Sequence, residues 1–152
     1  MTTTNRSYTS RRSNIVEALA EKLKDINGAG AFLSDLQNNV HPRLKFWDEV
    51  DQFPAIHLNA GAETREYQGG GYKDRFLSVT VRCYVQEEDA QRALNVLMED
   101  VETLIEDNGQ LEYSDRQNNT FKTQQITIIS IDTDEGVLEP LGVGEILIEV
   151  RY

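Results

Sequence analysis

The stretch RFLSVTVRCYVQEEDAQRALNVLMEDVETLIED, Arg75 to Asp107, changes its period halfway along. From Phe76 to Val85, Leu77, Val79, Val81, Cys83 and Val85 alternate with Ser78, Thr80, Arg82 and Tyr84. Successive strand side chains point to opposite faces, so this alternation predicts a strand whose first set faces the core. After Glu87, Glu88 and Asp89 the apolar spacing becomes four and three: Ala90, Leu94, Leu97, Val101, Leu104 and Asn108, widened by Ala93 and Ile105. That pattern predicts a helix over Asp89 to Asp107, opened by acids where the helix dipole favours negative charge. The stripe lasts less than three heptads, so it serves to pack one helix on a sheet rather than to build a coiled coil.

Towards the N-terminus, Ile15, Val16, Leu19, Leu23 and Ile26 recur at helical spacing, predicting a first helix from Asn14 to about Ile26. Asn14 and Glu17 have capping-box spacing, Ser10 and Ser13 are alternative caps, and Gly28 to Gly30 supplies the stop. Short strands are expected at Leu44–Trp47, Ala55–Leu58 and Thr64–Tyr67. Towards the C-terminus, strands are expected near Leu111–Tyr113, over Gln124–Ile131 and over Val143–Tyr152. In the last of these, Ile146, Ile148, Val150 and Tyr152 share one face. The order of elements predicts an α+β fold, a mainly antiparallel sheet flanked on one face by two helices. The chain divides into a basic arm, residues 1–13, and one domain, residues 14–152.

The 152 residues suffice for one continuous core. Cys83 has no partner for an internal disulfide, and no apolar run reads as a signal peptide or membrane span, so the protein is expected to be made and used in a reducing cytoplasm or in a particle assembled there. A net charge of -11 argues against general affinity for nucleic acid, which depends on Lys and Arg neutralising phosphates. The charge is unevenly placed. Residues 1–14 carry Arg6, Arg11 and Arg12 and no acid, whereas Glu87 to Asp107 holds eight acids and one base, Arg92, and reads as a solvated helix face.

Catalytic and cofactor motifs fail one by one. Gly69-Gly70-Gly71 is followed by Tyr72 and then Lys73 without Ser or Thr, and leads into a strand rather than a helix, so it is no phosphate loop. Gly142-Val143-Gly144 lacks the third glycine of a dinucleotide fingerprint and reads as a flexible approach to the last strand. Asp132 to Gly136 starts like a calcium loop but has Val137 and Val143 where Gly and Glu belong. His41, His57 and Cys83 have no metal-ligand spacing, and His57 reads as a packed or edge residue. The expectation is therefore no catalytic residue, no metal and no cofactor. A small ligand-binding domain or enzyme is the competing class, and its mark would be a deep pocket of convergent polar groups around His57.

The segments SNIVEALAEKLKDI, LKFWDEVDQFPAIHL, YKDRFLSVTVRCYVQEEDAQRALNVLMEDVETLIED and VGEILIEVRY, in that order, resemble the tail terminator proteins of long-tailed bacteriophages, also called tail completion or minor tail proteins. The resemblance implies a structural virion protein, a homo-oligomeric hexameric ring that caps the tail tube, stops its polymerisation and offers a surface for head–tail joining. The partners it implies are further copies of the chain, the major tail tube protein, a head–tail connector or stopper protein and the tape measure protein. It implies a place at the head-proximal end of the tail, with DNA passing through without specific binding and no membrane partner. A neck adaptor of the same virion region is the nearest alternative. A ring repeats one heterologous contact, so each subunit carries two different complementary patches. Arg6, Arg11 and Arg12 belong either to a frayed terminus, as many chain ends are, or to an arm that docks on an acidic neighbouring subunit. The exposed loop Gln68–Asp74, with Tyr67, Gly69, Gly70, Gly71, Tyr72, Lys73 and Arg75, is expected to touch another subunit.

Overall fold

The computed structural model describes residues 9–152, so Arg6 lies outside the described residues. Two helices, α1 (Arg11–Leu23) and α2 (Ala90–Asp107), accompany seven strands. These are β1 (Val40–His41), β2 (Ala55–Tyr67), β3 (Lys73–Gln86), β4 (Glu112–Ser114), β5 (Thr120–Lys122), β6 (Gln125–Thr133) and β7 (Leu141–Arg151). Five strands form one sheet in the order β1-β2-β3-β7-β6, antiparallel except for the short parallel pair β1 and β2, while β4 and β5 form a separate hairpin. The architecture is the expected α+β arrangement.

The core lies between the sheet and the helices. Leu77, Val79, Val81 and Cys83 are fully buried and Val85 nearly so, as the alternation predicts, and Ile146, Ile148 and Val150 continue the same face on β7. Against them pack Leu94, Leu97, Val101 and Leu104 of α2, and Ile15, Leu19 and Leu23 of α1. Burial pushes the Cys83 thiol up to about 12, which makes it an inert core residue rather than a nucleophile.

Gly142 and Gly144 lie within β7 rather than before it, and they work by absence. A Cβ on Gly142 would stand 2.7 Å from Val85 Cγ2, and one on Gly144 would stand 2.6 Å from Met98 Sδ and 3.1 Å from Leu94 Cδ1. The reading of this pair as a flexible approach to the strand is replaced by a packing role: α2 sits where side chains on β7 would be.

Three boundaries differ from expectation. Helix α1 begins at Arg11, because Ser10 is the N-cap and its Oγ accepts the Ser13 amide at 3.2 Å. Arg11 and Arg12 therefore belong to the first helical turn and not to an arm ending at residue 13. Leu44–Trp47 is not a strand: it crosses the outer face of the sheet, where the Tyr84 hydroxyl donates to the Lys45 carbonyl at 2.6 Å. The strands expected at Ala55–Leu58 and Thr64–Tyr67 are one strand, whose pairing with β3 continues across an irregularity between Ala60 and Glu63.

Asp100 departs from the solvated helix face assigned to its neighbours. It is buried, and its carboxylate accepts the amides of Leu33 (3.2 Å) and Ser34 (2.7 Å), pinning the loop after α1 to the middle of α2. Asp89 caps α2 by accepting the Arg92 amide.

Leu97→Ala should cost about 2–5 kcal/mol, the usual range for emptying a fully buried leucine site. Gly144→Ala should cost about 1–3 kcal/mol by overpacking, although alanine ordinarily suits a strand better than glycine. Urea denaturation of the two variants, read by far-UV circular dichroism, measures both.

Candidate assembly interface

Strands β2 and β3 outrun the rest of the sheet. The row joining Thr64, Phe76, Arg151 and Gln125 crosses four strands, but beyond it Arg65 to Tyr67 pair only with Lys73 to Arg75. Lys73 and Asp74 are thus strand residues, and the projecting turn is Gln68–Tyr72, closed by the Gln68 amide on the Tyr72 carbonyl at 2.7 Å. Gly70 and Gly71 have φ of +79° and +84°, a region glycine enters without steric cost. Tyr67 and Tyr72 flank the tip with 73% and 76% of their surface exposed, which leaves two large amphipathic rings open to contact.

At the base of this hairpin four separate elements converge on a cleft of about 360 Å³. Arg11 and Arg12 come from the first turn of α1, Arg65 from β2, Arg75 from β3 and Arg116 from the turn between β4 and β5. The guanidinium of Arg11 lies over the Phe121 ring at 5.3 Å and that of Arg75 over Tyr152 at 5.4 Å. Arg12 donates to the Gly61 carbonyl, and Arg65 pairs with Glu63 at 2.8 Å. Among the described residues, Arg11, Arg12, Arg75 and Arg116 have no carboxylate at ion-pair distance.

The acids nearby are already engaged. Asp115 accepts the amides of Gln117 and Asn119, both at 2.9 Å. Burial works to raise its carboxyl, but Asn119, Gln117 and the Arg11 charge hold it below the usual aspartate value. Glu63 is likewise held low: burial opposes its charge, but the Tyr152 hydroxyl and Arg65 outweigh burial. Tyr152 is correspondingly pushed up to about 12, by burial first and then by the bond to Glu63.

The structure thus places Arg11, Arg12 and Arg75 together and adds Arg65 and Arg116. Tyr67, Gly69, Gly70, Gly71, Tyr72 and Lys73 are not part of the cleft and form or flank the projecting tip. Arg116 carries no local signal in its polar segment. It joins the others only because β4 packs on α1, where Asn14 Nδ2 donates to the Ser114 carbonyl at 2.7 Å.

A second cleft, of about 540 Å³, opens beside β1 and is lined in part by Glu17, His41, Arg43, Lys45 and His57. This is the place where an enzyme would show convergent polar groups. His57 is 3% exposed, its Nδ1 donates to the Arg43 carbonyl at 3.1 Å, and its ring stacks on His41 at 4.9 Å. Burial pushes its imidazole below the ordinary value, with the His41 and Lys45 charges adding to the effect and the Arg43 carbonyl opposing it. The ring is committed to fastening the 42–45 segment onto the sheet. Among the described residues no group of three or more His, Cys, Asp or Glu side chains is placed to hold a metal ion, and no helix is long and apolar enough to cross a membrane.

The described residues thus present an α+β sheet with a projecting hairpin and an arginine-lined cleft. The chain belongs to a family of bacteriophage tail proteins: the family model described as Bacteriophage Tail Tube Terminator Protein matches residues 6–152. It is similar to the tail tube terminator protein p142 of Escherichia phage T5, with 32% identity over 149 residues, covering 93% of this chain and 92% of that protein. It is accordingly a structural protein of the phage tail.

His57 gives the fold a pH dependence of definite sign. Its folded pKa lies below the unfolded one, so its neutral form stabilises the fold above the ordinary histidine range, and this contribution is lost as pH falls through the folded value. Calorimetry should therefore show Tm decreasing between about pH 7.5 and about pH 5.5, above the range in which most carboxylates titrate. His57→Gln should flatten that dependence.

Proposed function

We propose that this chain forms a closed ring, a hexamer, that caps the completed tail tube, stops its growth and presents its far side to the head–tail connector or stopper protein. The reading rests on the terminator family together with one observation, the two open sheet edges on opposite sides of the subunit. Among the described residues β1 covers β2 only at Ile56 and His57, and none of them pairs with the outer edge of β2 from Asn59 to Tyr67. At the other side β6 ends the sheet, with Ile129 and Ile131 exposed. Unpaired edges invite strand addition, and two different edges on one subunit give a heterologous contact that closes when the rotation between copies divides a full turn.

Within that ring the major tail tube protein meets one axial side, where the projecting hairpin with Tyr67 and Tyr72 is an apt contact. The tape measure protein is a further partner before DNA enters. The remaining face of the sheet carries Ser78, Thr80, Leu147, Glu149 and the Arg82–Glu145 pair at 3.2 Å. A polar surface with neutralised arginine allows DNA to pass without being held. Assembly takes place in the host cytoplasm, and the mature protein sits at the head-proximal end of the tail.

Two measurements test this reading. Light scattering and negative-stain microscopy of the purified chain, alone and mixed with tail tubes, should show rings and capped tube ends. Phage lacking the protein should accumulate overlong tubes. A chain that stays monomeric and never binds tube ends overturns the proposal.

A further inference from the structure

Resting on the ring reading, we infer that the arginine cleft receives the acidic C-terminal turn of α2 from the neighbouring copy, Glu106 and Asp107 above all. The first ground is the charge left without a partner. In a chain with 26 acids and 15 bases, four arginines from three elements, Arg11 and Arg12 of α1, Arg75 of β3 and Arg116 of the β4–β5 turn, are gathered at one cleft with no carboxylate at ion-pair distance among the described residues. Two of them are held by aromatic rings, Arg11 by Phe121 and Arg75 by Tyr152. A guanidinium stacked on a ring face keeps its N–H edge free, and that edge suits carboxylate.

The second ground is position along the strands. The cleft lies at the level of the paired residues Arg65 and Arg75, next to the row that ends at Gln125 on β6. The last turn of α2 lies at the same level on the other side of the subunit, since Glu106, Asp107, Gln124 and Gln125 border one surface depression. In a ring whose subunits meet edge to edge, β6 of one copy runs antiparallel beside β2 of the next. The α2 terminus then comes to the height of the arginines without a shift along the strands.

The third ground is the dipole of each helix. Arg11 and Arg12 occupy the first turn of α1 with no acid in that turn, and Glu106 and Asp107, both exposed, close α2 with no base in its last turn. Each placement opposes its own helix dipole and is relieved by the other. Nucleic acid is the less suitable occupant, because the surrounding surface belongs to a chain of net charge -11.

Charge exchange tests the pairing. R12E/R116E and E106K/D107K, each confirmed folded by circular dichroism, should lose the ring in light scattering at about 50 mM salt, where screening is weak. An equal mixture of the two should regain it with alternating subunits, because every contact in that mixture again joins opposite charges. The quadruple variant should form rings alone. If the double variants assemble like the natural chain, or if their mixture fails to assemble, the pairing is overturned while the ring reading stands. If the natural chain itself forms no ring, alone or on tube ends, the ring reading falls and the pairing with it. Binding of a duplex DNA oligonucleotide that R12E/R116E abolishes, with ring formation unaffected, would reassign the cleft to phosphate.

Discussion

Helix α2 lies against β3 and β7 at a distance set by two missing methyl groups. Without side chains at Gly142 and Gly144, Met98, Leu94 and Ala90 descend onto the sheet, and the helix covers the buried row formed by Val79, Val81, Ile146 and Ile148. Both helices pack on the side of the sheet where β3 and β7 carry their continuous buried apolar rows. The other face keeps Ser, Thr, Glu and Arg. Part of it is covered at His57 and Tyr84, whose bonds to main-chain carbonyls at Arg43 and Lys45 hold the crossing segment in place.

This arrangement leaves the subunit incomplete in a specific sense. A two-residue β1 cannot satisfy a thirteen-residue β2, and no described strand lies beyond β6. Main-chain groups at such edges find water in the isolated chain, and exchanging water for a neighbouring strand carries little net enthalpy by itself. Specificity must then come from side chains near the edges, and there the charge of this protein is most unevenly divided.

Where one face of an element is buried, its residues announce it. The spacing of Leu94 to Leu104 gives α2 nearly to the residue and the alternation of Leu77 to Val85 gives the buried part of β3, because each pattern records a single interface with the core; the strand's projecting start at Lys73–Arg75 has no such interface and no such pattern. Leu44–Trp47 misleads because an apolar run can lie across a sheet as well as within it, and its Phe46 stays exposed. The strands at Ala55–Leu58 and Thr64–Tyr67 read as separate because the pairing that joins them passes through an irregularity between Ala60 and Glu63, which no local pattern shows. The start of α1 is legible only as a choice among caps, which the local bond from the Ser13 amide to the Ser10 hydroxyl resolves. The arginine cleft was half legible: Arg11, Arg12 and Arg75 stand out, but Arg65 and Arg116 join them through contacts distant in sequence, which no local pattern encodes.

Asp100 bears on how the irregular parts of the chain move. Residues 27–39 contain almost no regular structure, yet Leu36 is fully buried, its amide is bonded to the Ile26 carbonyl, and the amides of Leu33 and Ser34 end on the Asp100 carboxylate. Opening that loop exposes a carboxylate seated in the middle of α2, so its fluctuations are tied to those of the helix. The hairpin tip at Gly69–Gly71 has no such anchor. The chain thus has two kinds of loop: one that keeps time with the core, and one that is free to take its shape from whatever it meets.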